Sequence, residues 1–329
     1  MRVKGSERKW LVIRGVLLVA LLVLVVGAGE FVCEYTGRFQ TIRTIEKVTD
    51  YEDYNLYSMD VKYDYDLDRV IEYGITDDQS LVDAIVEEAI PILPVQIDVP
   101  DFGCSAFTLQ EADGDILMGR NYDFRRDTSA MLVYCEPEDG YKSVGFAALD
   151  NISANTPKET MKKKLATLTA PFICLDGMNE KGVSIAVLTL DSEPVHQNTG
   201  KPVIGTTLAI RLILDRAAST AEAVELLQQY DMFASGGRDY HFYITDSTRD
   251  GRVIEYDCES ETRELVATPV RSVTNFFALY KDQVLPDQRN GIYGHGKERY
   301  DKMEALFDYE EIYTTEGCCA GTFGGGYYQ

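Results

Sequence analysis

One cysteine sits in a setting that suits nucleophilic chemistry. Cys104 lies in the run Gly103-Cys104-Ser105-Ala106-Phe107, and Gly119-Arg120-Asn121-Tyr122-Asp123-Phe124 follows a little later. A thiol of ordinary pKa, about 8.5, is only slightly ionised at neutral pH, so attack by sulfur needs a base and a nearby cation. Cys104–Leu109 and Ile116–Phe124 are strand-like runs, and Glu111-Ala112-Asp113-Gly114-Asp115 between them is a hairpin turn signal. The hairpin would set Arg120 on the neighbouring strand, where its guanidinium can stabilise a thiolate. With the turn near Asp113 and Gly114, Cys104 is expected opposite Phe124, which brings Asp123 close to the sulfur.

A larger frame has to hold this hairpin. Further strands fit Gly182–Leu190, His241–Thr245 and Arg252–Tyr256. Helices fit Thr206–Ala217, Thr220–Tyr230 and Lys297–Tyr309, and Ser219 with Glu222 three residues on reads as a capping box. Upstream, Asp77–Leu93 reads as a helix with Leu81, Ile85 and Ala89 on one face, stopped by Pro91 and Pro94. Strand pairs, then helices, then strand pairs imply an α+β layered fold rather than alternating βαβ units. The sequence shows no internal repeat and no low-complexity segment.

The hairpin runs resemble the start of the mature chain in the linear amide C–N hydrolases, a family that includes choloylglycine hydrolase, penicillin V acylase and the acid ceramidase group. Three more blocks follow in the family's order: Asp176-Gly177-Met178-Asn179-Glu180-Lys181-Gly182, His241-Phe242-Tyr243-Ile244-Thr245-Asp246, and Val273-Thr274-Asn275, with Glu298-Arg299-Tyr300 after them. The likeness spans Cys104 to about Leu306. It implies an N-terminal-nucleophile (Ntn) hydrolase with a four-layer αββα sandwich, in which cleavage of the Gly103–Cys104 bond makes the cysteine the first residue.

With Cys104 at a chain start, its own α-amino group, pKa about 8, is near enough to take the thiol proton. Asp123 would then orient the α-ammonium, and the Asn275 amide would donate to the oxyanion. The resemblance adds Arg299 to the polar cluster. Gly103 can take backbone geometry closed to other residues, which suits a strained scissile peptide. On this reading residues 30–103 are an acidic propeptide and residues 104–329 the hydrolase domain. The family's substrate class takes in N-acyl amides, bile-salt-like amides and other acylated amines. A long segment before the cysteine, the layout of the acid ceramidase group, shifts the expectation towards lipid-like or N-acyl amides.

Two departures stand out. Thr189 occupies the place where bile salt hydrolases carry asparagine and penicillin V acylases tyrosine, so neither bile salts nor penicillin V is the expected natural substrate. Thr189 is kept as a pocket residue through its backbone N–H. The chain also stops soon after the late arginine, at Gly324-Gly325-Gly326-Tyr327-Tyr328-Gln329, where family members continue with more strands, which reads as truncation. Alternatives stay open: an inactive, membrane-tethered binding protein of the same fold, or an acyltransferase. The order Cys104, His241, Asn275 also mimics a papain-type set, but the papain cysteine context C-G-[SA]-C-[WY] is absent. His241 reads instead as a satisfied core histidine.

Composition narrows the partners. Lys+Arg total 32 against Asp+Glu 54, a formal charge of −22 that repels nucleic-acid phosphates and anionic membrane surfaces. Between Lys47 and Gly103 there are 15 acidic residues and 3 basic ones, most simply a solvated face. No metal site or cofactor is implied, since the 3 histidines form no cluster with cysteine. Arg2, Lys4, Arg8 and Lys9 precede the apolar run Gly15–Gly29, the layout of a signal peptide (residues 1–29) or of an uncleaved membrane tether through residues 10–29. The expected location is outside the cytoplasm, secreted or held on the outer face of the membrane. The expected partner is a small-molecule amide, with homo-oligomerisation left open.

Overall fold

Alternation builds the first part of the fold. In Tyr57-Ser58-Met59-Asp60-Val61-Lys62-Tyr63-Asp64-Tyr65-Asp66-Leu67 every odd position is buried and the charged residues stand exposed, so an acidic segment still gives the core an apolar edge. The computed structural model describes residues 35–91, 102–111, 114–124, 128–289 and 291–309, together with positions 10, 13–18, 29 and 32. The expected signal or tether therefore lies largely outside the described residues, as do the linker before Phe102 and the chain end after Tyr309. Among the described residues no helix is long and apolar enough to cross a membrane.

In chain order, a helix over residues 35–44 (α1) is followed by β1 (Glu46–Lys47), β2 (Leu56–Asp60), α2 (Leu67–Glu72) and α3 (Asp78–Ala89). Next come β3 (Phe102–Gln110), β4 (Ile116–Phe124), β5 (Ala130–Cys135), β6 (Ser143–Ala148), α4 (Met161–Ala166), β7 (Cys174–Asn179) and β8 (Ser184–Leu190). Then β9 (Val203–Gly205), α5 (Thr206–Arg216), α6 (Thr220–Leu227), β10 (Asp231–Phe233), β11 (Asp239–Thr245) and β12 (Arg252–Tyr256) follow. The described chain ends with β13 (Leu265–Pro269), β14 (Ser272–Val273) and α7 (Lys297–Tyr309).

These elements make a mixed α+β fold. A nine-stranded sheet runs β1-β2-β5-β6-β7-β8-β11-β12-β13, and a three-stranded sheet runs β14-β3-β4. Pairing in both is antiparallel except between β2 and β5, which run parallel. The expected strands and helices are all present, with ends shifted by up to a few residues. The capping box at α6 is only half formed. Ser219 accepts from the Glu222 N–H at 3.2 Å, but the Glu222 carboxylate takes the Ala218 N–H at 2.8 Å instead of reaching back to Ser219.

Neighbouring residues of β7 show which layers meet. A Cβ on Gly177 would stand 2.8 Å from Leu214 of α5, whereas Asp176 beside it reaches Arg120 of β4. Successive strand residues point to opposite faces, so α5 covers one face of the large sheet and the small sheet covers the other. On β3, Thr108 bonds Tyr243 of the large sheet, whereas Phe107 packs its ring 5.7 Å from Phe307 of α7. Even-numbered β3 residues, Cys104 among them, thus face the inter-sheet space, and odd ones face α7.

The segment read as a propeptide is built into this core. Tyr57, Met59, Tyr63 and Tyr65 belong to the main cluster, and Tyr65 donates to the buried Asp215 carboxylate of α5 at 3.0 Å. Asp215 is also held at 2.6 Å by Arg211, one turn earlier, whose side chain is fully buried. Its guanidinium further donates to Ser143 at 2.5 Å and to the Cys135 sulfur at 3.3 Å.

Candidate active site

Turn geometry sets the register of the site. Glu111 N–H donates to Asp115 O at 2.8 Å and Gln110 lies opposite Ile116, so Cys104 faces Tyr122 rather than Phe124. Closing the hairpin this way moves the expected pairing by two residues and sets Arg120 opposite Ala106, on the same inner face as Cys104. Gly103 pairs with Asp123 in the same ladder. The Gly103–Cys104 bond therefore lies within β3. The Asp123 side chain lies outside the described residues.

Arg120 spans the gap between the sheets. One terminal nitrogen donates to Asp176 Oδ2 at 2.7 Å; the other donates to Val187 O at 2.7 Å and stands 3.5 Å from Cys104 Sγ. The guanidinium also lies 4.7 Å over the Tyr122 ring. Burial works against its charge, but the Cys104 sulfur and the Asp176 carboxylate more than offset this and hold its pKa above the ordinary guanidinium value. Burial pushes the Asp176 carboxyl up, against the pull of Arg120.

Asn275 lies two residues beyond the end of β14, and β14 pairs with β3, so its side chain arrives beside Cys104. Asn275 Oδ1 accepts from the Cys104 N–H at 3.0 Å and from Arg299 at 2.7 Å. Its amide nitrogen donates to Thr189 O at 2.9 Å and Thr189 Oγ1 at 3.2 Å, at the end of β8. Arg299, in the first turn of α7, donates to Cys104 O at 2.9 Å and to Ser105 Oγ at 2.6 Å. Cys104 is thus gripped at N–H, carbonyl and sulfur by three different residues.

The structure therefore gathers Cys104, Arg120, Asn275, Arg299 and Thr189 in one place. Thr189 takes part through its carbonyl and hydroxyl, and the Asn275 amide nitrogen is spent on Thr189. Two partners were not foreseen. Asp176 belongs to a block read as a turn, yet it lies on β7 as the counter-ion of Arg120. Ser105 turns outward to Arg299, and strand alternation next to a reactive cysteine was the available signal. His241 is fully buried with Nδ1 at 3.1 Å from Glu255, whose carboxylate accepts the Ala278 and Leu279 N–H groups. Both ends of the Asn275 amide are engaged elsewhere, so it does not orient that histidine as a papain-type set requires.

The family model of linear amide C-N hydrolases, choloylglycine hydrolase family, matches residues 104–275, beginning at this cysteine and ending at this asparagine. That is more than half of the chain. The chain belongs to this family. Among solved structures, a mutant conjugated bile acid hydrolase from Clostridium perfringens is 17% identical, with 65% of this chain and 76% of that one covered at a TM-score of 0.47. A second variant of that enzyme is 16% identical with the same coverages and TM-score. Penicillin V acylase from Agrobacterium tumefaciens is 17% identical, with 67% and 70% covered at 0.45. A comparison with curated proteins gives no match. Linear amide hydrolysis needs a nucleophile, a group that stabilises its anion and donors for the developing oxyanion. In this member of the choloylglycine hydrolase family, the Cys104 cluster brings a sulfur, two guanidinium groups and an amide within hydrogen-bond reach of one residue.

Proposed function

We propose that this chain hydrolyses N-acyl amides through Cys104, made N-terminal by cleavage of the Gly103–Cys104 bond, on an Ntn-type αββα frame. The observation that carries this reading is the placement of Arg120 3.5 Å from the Cys104 sulfur while Asn275 and Arg299 hold that residue's N–H and carbonyl. A guanidinium beside a thiol favours the thiolate. Sulfur attacks the amide carbonyl, a thioester forms, and the amine leaves with a proton. Water activated by the freed α-amino group then hydrolyses the thioester and regenerates the thiol.

Before cleavage, the Cys104 N–H donates to Asn275 Oδ1. After it, the same nitrogen is an amine held in the same place, able to serve as base. Asp123, on the strand next to Gly103, is assigned to orient it. Residues 30–103 act on this reading as a segment cut from the hydrolase domain but kept in its core, and residues 1–29 as the export signal or tether.

The deciding experiment is the intact mass of the purified chain together with N-terminal sequencing. A fragment starting Cys-Ser-Ala-Phe that is missing from the Cys104→Ala variant supports self-cleavage. Wild-type hydrolysis by Cys104→Ala overturns the mechanism.

A further inference from the structure

Between β14 and α7 the chain doubles back beside the site. Phe277 N–H donates to Tyr293 O at 2.9 Å and His295 N–H to Asn275 O at 2.7 Å, with Phe276 paired to Gly294 between them. Space is short here. A Cβ on Gly294 would stand 2.1 Å from Asn275 O, and one on Gly296 2.4 Å from the Arg299 guanidinium; both glycines have positive φ. His295 is the single side chain in this Gly294-His295-Gly296 turn.

Its ring reaches Asp191, with Nδ1 2.8 Å from Oδ2. An ionised carboxylate only accepts, so Nδ1 carries the proton. Asp191 lies two residues beyond Thr189, whose carbonyl and hydroxyl take the Asn275 amide hydrogens. A closed circuit results. The Asn275 side chain binds Thr189, the chain runs on to Asp191, the carboxylate binds the His295 ring, and the His295 N–H returns to the Asn275 carbonyl. Asn275 is held from its backbone and from its amide nitrogen, leaving Oδ1 aimed at Cys104 and Arg299.

We propose that His295 is a positioning residue that fixes the Asn275 amide against Cys104, acting through Asp191 and Thr189. The inference rests on the reading of Cys104 as nucleophile. Partners that orient metal-ligating side chains are typically worth about 10–100-fold in activity, and an effect of that order is expected for a residue that orients Asn275. Without the imidazole, Asp191 is left as a mostly buried carboxylate without this partner, and the end of β8 is tied to Asn275 through Thr189 alone.

The test uses the full-length chain with a fluorogenic N-hexanoyl aminocoumarin as probe, alongside the rate of cleavage at Gly103–Cys104 by intact mass. His295→Ala is expected to lower kcat about 10–100-fold with KM within about twofold and the melting temperature near wild type. His295→Asn, whose amide nitrogen can donate to Asp191 from the place of Nδ1, is expected to recover kcat to within about threefold of wild type. Wild-type kcat in His295→Ala, or a loss that His295→Asn does not rescue, overturns the positioning role. Should His295→Ala fail to fold, Asp191→Ala, which removes the acceptor of the Nδ1–H, carries the test; it is expected to lower kcat, and an unchanged kcat there overturns the proposal. Cys104→Ala separates the two levels. If it is inactive, a failed His295 series removes only the positioning role. If it hydrolyses as wild type, the nucleophile reading falls and the proposal falls with it.

Discussion

Arg120 belongs to the small sheet but is anchored on the large one: its guanidinium meets Cys104 Sγ at 3.5 Å only after bonding Asp176 and Val187 across the gap. The distance from cation to sulfur is therefore set by how the two sheets pack, and not by a loop. Rigid elements hold reactive groups more tightly than loops do.

Replacing Arg120 by methionine keeps an unbranched stem and removes the charged head. Hydrolysis at neutral pH is expected to fall about 10²-fold, and the rate to recover in part as pH rises, because the thiolate then has to form without a cation. A pH profile of kcat/KM checks this. A folded Arg120→Met with an unchanged neutral rate removes the assigned role.

Cys104→Ala is expected to give one uncut chain with no turnover, and Cys104→Ser a slow, partial cleavage, since a hydroxyl ionises far less readily than a thiol. Mass spectrometry over a time course distinguishes them.

The buried Arg211–Asp215 pair gives a stability prediction. Arg211→Met leaves the Asp215 carboxylate buried without its counter-ion, which typically costs about 3–5 kcal/mol. Replacing both, Arg211→Met with Asp215→Leu, is expected to cost less than the single change. Urea denaturation of the three proteins decides it, and a double variant worse than Arg211→Met refutes the account.

Asp231 predicts a pH dependence. Burial pushes its carboxyl up, but the Thr199 hydroxyl and the N–H groups of Thr199, Lys201 and Gly200 more than offset this and hold it below the ordinary range. A carboxyl depressed in the folded state adds stability above its unfolded pKa, near 3.9, and loses it as pH falls through the folded value. Asp231→Asn should therefore be less stable than wild type at neutral pH, with the gap closing below about pH 4. Thermal melts across that range read it directly, and a gap independent of pH contradicts it.

Local signals carried much of the site. The β3–β4 hairpin and α7 were legible because turn residues and helical spacing act within a few positions. The register was not, since the closing contact between Glu111 and Asp115 sits one step away from the Asp113–Gly114 pair that looks like the turn. β5 and β6 went unread because their strand character depends on partners far along the chain, and β2 on a parallel match with β5. Net charge drew attention away from Val61, Tyr63 and Tyr65, whose alternation with Lys62, Asp64 and Asp66 was a period-two signal. Asp176 and His295 matter through spatial neighbours, for which sequence spacing gives no clue.

The parallel pairing of β2 with β5 has a consequence for the order of events in the molecule's life. Residues 56–60 take their place in the sheet beside residues 130–135, on the other side of the bond proposed for cleavage. A cut at Gly103–Cys104 then turns one chain into two that stay interlocked, so a native mass should remain whole while a denaturing gel shows two bands. Once unfolded, the pieces have to find each other by diffusion. Recovery of the cut protein from denaturant should fall with dilution, whereas the uncut Cys104→Ala chain should refold independently of concentration. Cleavage would thus convert a self-contained folding unit into one whose persistence depends on how slowly it opens.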